Sequence, residues 1–570
     1  MARYVHLFDT LNEYKSARAL NYKEPWFSYT RETSGVSYDK TEEEKMKEGP
    51  LTFEILSGGS IWWKVQSFPI DEYELAARTL EYSRDNGNTW TSITSSPNRL
   101  SGFTVSTAEG EAVNDFFVPD GFDYTTDRYK YSGNTMMLYC GANEFFIQEW
   151  DEPLYDESGN QYVLDSGSMV WYNPALIEVA SGEKIMLRGD NTNFGYFDST
   201  ESYYYNFFSG DSACRFNVYG NIMSLLDSTG YTTASTLESA YTFYQLFSDC
   251  DGLVSAKDLV LPATTLVLGC YYGMFTNCTS LTTAPELPAI TLADACYNNI
   301  FTNCTSLTTA PELPATTLAS GCYYGMFNGC TGLTSAPELP ATTLAANCYG
   351  SMFSGCTSLT AAPELPAITL ADYCYSTMFN GCTSLTTAPE LPATTLSSRC
   401  YHYMFNGCTG LTTAPVLPAT TLASYCYQGM FNGCTSLVTA PELPATNLAG
   451  FCYQYMFNNC TSLTQAPELP AEIVITSCYH YMFKGCTSLT TAPELPATEL
   501  KQNCYNSMFN GCTSLNYIKC LATDISANNC TTGWVDRVAS TGTFVKNANM
   551  SSWGSGRNGI PANWTVTDAE

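Results

Sequence analysis

Between residues 253 and 515 the apolar positions recur every 26 residues, with a Phe at 275, 301, 327, 353, 379, 405, 431, 457, 483 and 509. Ten copies in strict register describe a solenoid, in which each unit buries its apolar face only against its neighbours. One copy, 307–332, reads LTTAPELPATTLASGCYYGMFNGCTG. Pro311 and Pro314 withhold backbone donors and disfavour helix just before themselves, which leaves 307–310 as a very short strand. Thr316 or Thr317 suits the N-cap of the segment that follows. From Leu318 the apolar side chains fall at 318, 322, 326, 327 and 330, the spacing of one helical face. Gly329 then supplies a left-handed stop, and that place holds Gly in seven copies and Asn in three. Each unit is predicted to be a strand, a proline turn and a helix of about three turns, with Met326 and Phe327 between the strand and helix layers.

The flanks follow other patterns. In 51–230, LTFEIL, IWWKVQ, RTLEYS, TWTSIT, KIMLRG and CRFNVY have strand length, and DNGNTW signals a hairpin. They predict an antiparallel β-sandwich that covers the open first repeat, with a loop-rich insertion near 101–175 and YYYNFF (203–208) as a strand. Residues 1–50 are polar, and TEEEKMKEG reads as linker. The tail 516–570 leaves the period but keeps Cys530, as a cap would. The expected class is α+β: segment 1–50, a sandwich over 51–230, a solenoid of about ten repeats over 231–515, and a cap over 516–570.

Charge narrows the partners. The formal net charge is −30, from 25 Lys and Arg against 55 Asp and Glu, with no basic run. Nucleic acid and anionic membranes need a positive stripe, so both are disfavoured. No run of 18 apolar residues calls for membrane insertion. The N-terminus lacks a basic start followed by an apolar core, so synthesis in a cytoplasm without general secretory export is expected. The 25 cysteines fall mainly in two columns, 270 to 504 and 278 to 512, eight residues apart within a copy. Over a helix that is about 12 Å, beyond disulfide reach. No CxxC or zinc spacing occurs, so the thiols read as small core residues, and no metal or cofactor is expected. Disulfides between neighbouring copies of one column stay geometrically open.

Comparing copies separates scaffold from variable surface. Three places vary: the residue before the first Cys, and the second and third residues after it. Spacings of three and four put them on one face. In the second half of the array they are Arg399, His402, Tyr403, Tyr425, Gln428, Phe451, Gln454, Tyr455, His480 and Tyr481. Neutral drift at exposed places yields Lys, Glu, Ser and Ala. Aromatic and Arg enrichment is instead the composition of recognition surfaces. Such rings with amide neighbours also suit sugars. A second column, Glu286, Glu312, Glu338, Glu364, Glu390, Glu442, Glu468 and Glu494, is interrupted by Val416. It reads as a solvated row that protects the edge from aggregation, or as a cation-binding edge. No catalytic residues are expected. GDSA at 210–213 has the look of an esterase turn, but His6, His402 and His480 lack a suitable acid context, and GxSxG, HExxH and phosphate loops are absent.

The run F-x-G-C-T-S-L-T, followed by a Pro-containing strand, resembles the BspA-type leucine-rich repeat of bacterial surface adhesins. APELPATTLA with CYxxMFNGCTSL is most similar to repeats of tail-fibre or host-recognition proteins from crAss-like Bacteroides bacteriophages. The flanks NYKEPWFSYT, IEVASGEKIMLRGDN and GIPANWTV share that resemblance. It implies a non-catalytic virion adhesin that binds a host-surface glycan or protein and contacts other virion proteins through 1–50. A homo-oligomer is expected. A bacterial surface adhesin and a purely architectural virion protein are the alternatives, with a capsular-glycan enzyme further off.

Overall fold

The computed structural model describes residues 46–68, 79–93, 98–101, 128–132, 135–140, 143–148, 152–155, 161–164, 168–172, 175–191, 194–197, 203–210, 213–550 and 553–569. The expected attachment segment up to 45, the NYKEPWFSYT motif, His6, Asp211 and Ser212 lie outside the described residues.

In the N-terminal part a six-stranded sheet runs in the order Leu253–Val260, Arg215–Asn221, Leu51–Ser57, Lys184–Asp190, Thr79–Ser83, Thr91–Ile93. Alternation dictates its faces: Ile185 and Leu187 are buried while Lys184 and Arg188 are not. DNGNTW does turn the chain, with Asn86 and Gly87 at positive φ and Leu80 paired to Ile93 across the hairpin. A four-stranded sheet comprises Ala175–Val179, Gly59–Phe68, Tyr203–Gly210 and Gly195–Phe197, which places YYYNFF in a strand. Phe208 of this sheet meets Phe53 of the first at 5.5 Å between ring centroids. The stretch 98–172, where sequence suggests loops, carries a five-stranded sheet and a two-stranded one.

The strand Leu253–Val260 is shared. It pairs in parallel with Arg215–Asn221, while Ala256 N–H donates to Thr283 O of the next coil. The solenoid therefore grows from the edge of a sheet, and that edge is covered.

The repeats contain no helix, which corrects the strand–turn–helix unit and the α+β class. Among the described residues the only helical stretches are 46–48 and the 3-10 turn Ile222–Leu225. Backbone accounting shows why. In one copy the N–H groups of Gly321, Tyr323, Gly325, Phe327 and Gly329 donate to Ala346, Cys348, Gly350, Met352 and Ser354 in the next coil, at 2.7–3.1 Å. The intervening N–H groups of Cys322, Tyr324, Met326, Asn328 and Cys330 donate three residues back within their own coil. No donor is left for an i→i−4 ladder. The ribbon is a chain of linked turns with left-handed backbone at every fourth residue: φ is 58° at Gly321, 59° at Gly325 and 74° at Gly329. The expected short strand at 307–310 shrinks to a single parallel bridge, Thr309 to Ser335.

Inward residues stack copy on copy. Ten Phe rings from Phe275 to Phe509 form one column, and ten Tyr rings from Tyr271 to Tyr505 form a second. Successive Phe centroids lie 5.5–5.8 Å apart, and Phe247, stacked on Phe275 at 5.5 Å and facing Phe53 at 6.2 Å, joins this column to the sheets. Each ring removes roughly 150–250 Å² from water. Both cysteine columns are buried and free, as the core reading expects. In the second column every thiol donates to the Phe carbonyl of the preceding coil, as Cys382 Sγ does to Phe353 O at 3.0 Å. Burial raises these thiols, to about 12 at Cys408.

One further coil precedes the ten counted copies, within the expected solenoid bounds. Residues 236–262 stack beneath the first copy through Tyr241, Gln245, Phe247 and Asp249, whose N–H groups reach Leu268, Tyr272, Met274 and Thr276. At the other end the chain continues with a parallel three-stranded sheet, Tyr517–Cys520, Thr543–Lys546 and Thr565–Asp568. Buried Trp534 stacks on Tyr505 at 6.3 Å and on Trp553 at 5.6 Å, closing the Tyr column. No helix among the described residues is long and apolar enough to cross a membrane.

Candidate functional site

The ribbon puts two residues in and two out in turn. The outward pairs form three parallel rows on one face, and all ten candidate residues lie in them.

The first row occupies the left-handed place before the first Cys: Tyr373, Arg399, Tyr425 and Phe451, with φ between 54° and 60°. The Arg399 guanidinium lies 4.1 Å from the Tyr425 centroid and 5.2 Å from that of Tyr373, so a ring flanks it on each side. Tyr425 and Phe451 stack at 4.6 Å with 3° between planes. The middle row is polar. Ser376 Oγ and His402 Nδ1 are 3.2 Å apart, Gln428 Nε2 donates to Gln454 Oε1 at 2.5 Å, and Gln454 Nε2 lies 2.8 Å from His480 Nδ1. His402 also bonds Gln428, which completes a side-chain chain over five coils. The third row is left-handed again: Tyr403, Gly429, Tyr455 and Tyr481. Tyr455 and Tyr481 stack at 4.8 Å. Gly429 has no Cβ, and the Tyr403 ring occupies the space one would need.

Tyr373 and Ser376 hold the same variable places one coil earlier, whereas sequence comparison missed Lys484, whose ammonium lies 4.9 Å from the Tyr481 centroid. The stripe residues are half-buried, since they cover one another, and Gln454 is buried at 8% exposure. Ring faces within each stack are consumed by neighbouring rings, so mostly edges and hydroxyls face outward.

Burial, and then the nearby Arg399 charge, hold His402 down to about 4, and burial does the same for His480. Both imidazoles are neutral at pH 7. The Ser376–His402 pair thus has a weak base, and among the described residues no carboxylate is seen to orient it. Among those residues no group of three or more His, Cys, Asp or Glu could hold a metal ion.

The Glu column is exposed at every copy, and Val416 within it is 77% exposed. Glu494 pairs with Lys519 at 3.0 Å.

The family model described as BspA type Leucine rich repeat region matches residues 244–386, 325–448 and 430–530, which together cover half of the chain. No curated protein and no solved structure matches.

Proposed function

The chain belongs to the BspA-type leucine-rich repeat family, and on that premise we propose that it is a non-catalytic adhesin whose three-row face binds a surface receptor on a bacterial host. Repeats of this type suggest a surface adhesin or binding role.

One observation carries the reading. Left-handed backbone favours Gly and Asn, and a larger L-residue there costs roughly 1–2 kcal/mol. Elsewhere in these columns stand Gly269, Gly273, Asn299, Gly321, Gly325, Asn347 and Asn503, with small Ala295, Ser351 and Ser507, while Tyr241 and Gln245 are bulky exceptions in the coil next to the sheets. From coil 373 to coil 481 the same columns carry Tyr373, Arg399, Tyr403, Tyr425, Phe451, Tyr455 and Tyr481. Stacking returns about 0.5–1.5 kcal/mol per ring pair, which at best offsets the strain. Bulky side chains held in disfavoured backbone and gathered on one face argue for selection on that face.

Replacing Tyr403, Tyr455 and Tyr481 together by Gly separates function from folding. Adsorption to host cells should fall, while the melting temperature holds or rises. Unchanged adsorption by this folded variant would refute the face.

Presentation on a phage particle, attached through 1–50 to other virion proteins and assembled as a homo-oligomer, belongs to the same proposal. It is supported by the likeness of repeat and flanking motifs to phage host-recognition proteins. Absence of the chain from purified particles by mass spectrometry would sink this part alone.

A further inference from the structure

Arg399 is the only charged residue in the three rows between coils 373 and 481. Its guanidinium has an aromatic ring on each side, at 4.1 and 5.2 Å, and no ion pair or side-chain hydrogen bond engages it among the described residues. The acid one coil earlier, Asp372, is occupied by the Ser398 amide, which donates to its Oδ1 at 3.0 Å. A guanidinium that stacks on both faces still offers its planar fork of N–H donors at the edge, the group that recognises a carboxylate bidentately. The two ring contacts help to offset its backbone at φ 54°, but in a chain of net charge −30 they leave its N–H edge without an acidic partner among the described residues.

We infer that Arg399 is the anchor for a carboxylate carried by an acidic saccharide, with the hydroxyls of the flanking tyrosines meeting the neighbouring sugar hydroxyls. This rests on the proposed binding face and names its ligand class. Next to Arg399 stand His402 and Tyr403, both neutral, and the polar row beyond them is bonded within itself, Gln428 to Gln454 and Gln454 to His480, with Gln454 buried. The outward groups left to a sugar beside Arg399 are therefore the hydroxyls and ring edges of Tyr373, Tyr403 and Tyr425.

Two features select among anions. One cation on a strongly acidic protein fits a sparsely charged chain, because a dense polyanion would be repelled by the remaining surface. An extended peptide would seek main-chain partners. This ribbon has none to give, since its N–H groups alternate between the next coil and the turn within.

The probe is a hexasaccharide alternating glucuronate and N-acetylhexosamine, compared by calorimetry with its carboxyl-reduced form and with an aspartate-rich peptide. Wild-type full-length protein should bind the acidic sugar about tenfold tighter than the reduced one, the equivalent of one added charge-assisted contact. Arg399→Gln should abolish that difference, and Arg399→Lys should keep only part of it. Equal binding of the two sugars, an unchanged Arg399→Gln, binding of the peptide alone, or no binding at all each overturns the assignment. Host adsorption keeps the two failures apart. If no sugar binds but Tyr455→Ala still lowers adsorption, the face stands without the anchor. If adsorption is also unchanged, both fall.

Discussion

Gly321→Ala distinguishes the linked-turn ribbon from a helix by the sign of its effect. In a helix, Gly→Ala in the interior stabilises by roughly 0.5–1 kcal/mol. Here Gly321 has φ 58°, and a Cβ added to it would meet only Asn298 Nδ2 at 3.7 Å. Space is ample, so the effect isolates the backbone. Ala in the left-handed region costs roughly 1–2 kcal/mol. Gly321→Asn should cost less, because Asn tolerates that region and stands there naturally at 347, 503 and 529. The ribbon therefore ranks Gly above Asn above Ala, whereas a helix ranks Ala above Asn above Gly. Urea unfolding followed by far-ultraviolet circular dichroism gives the order. A shift of 1 kcal/mol in a domain of this size moves the melting point by about 2–4 °C. If the Ala variant proves the most stable of the three, the linked-turn account of the repeat is wrong.

Three further outcomes follow from the core and the stripe. The buried thiols, at about 12 for Cys296, Cys374 and Cys408, should resist iodoacetamide at pH 8 until urea opens the array. Because unfolded thiols ionise near 8.5 and folded ones stay protonated, stability should decline as pH rises beyond that value, by at most about 1.4 kcal/mol per thiol per pH unit; flat stability to pH 10 would contradict it. His402 and His480, lowered to about 4, favour the neutral form when folded. Their contribution is complete above about pH 6.5 and lost as pH falls toward 4, so the double variant His402→Gln/His480→Gln should unfold less readily than wild type at pH 4.5 relative to pH 7. Cys382→Ala removes both the bond to Phe353 O and core volume, and should cost about 1–2 kcal/mol by urea titration, against near-zero cost if the sulfur only fills space loosely.

The period of 26 and the inward residues were legible because stacked identical coils impose one environment on each column. Leu, Phe, Tyr and Cys therefore recur at fixed places. The helix was a misreading with a definite cause. Cys322 and Tyr323 point in, Tyr324 and Gly325 leave room for the outer face, and Met326 and Phe327 point in again, a period of four that two turns cannot separate from 3.6. The overlooked signal was Gly at 321, 325 and 329, since Gly at every fourth place weakens a helix but suits left-handed turns. Residues 399, 402 and 403 share one side in either geometry, so their grouping does not depend on the helix. The coil over 236–262 falls within the expected solenoid bounds of 231–515 but was not counted as a copy, because Phe247 and Phe275 are 28 apart, not 26, and only FSDC echoes FTNC. Ring-on-ring pairing, which hides the faces of Tyr425 and Phe451, follows from coil spacing and from no motif.

The alternation of hydrogen bonds also sets how the protein bears load. Bonds such as Tyr323 N–H to Cys348 O and Phe327 N–H to Met352 O run from coil to coil, along the direction in which the array grows. A pull on the two ends strains them in series, so the terminal coil peels before its neighbours yield. Each coil that peels releases 26 residues, on the order of 90 Å of chain, and leaves the next coil presenting the same pattern of donors and acceptors. Under tension the array should lengthen in equal steps and refold in register, a tether that yields a coil at a time without letting go.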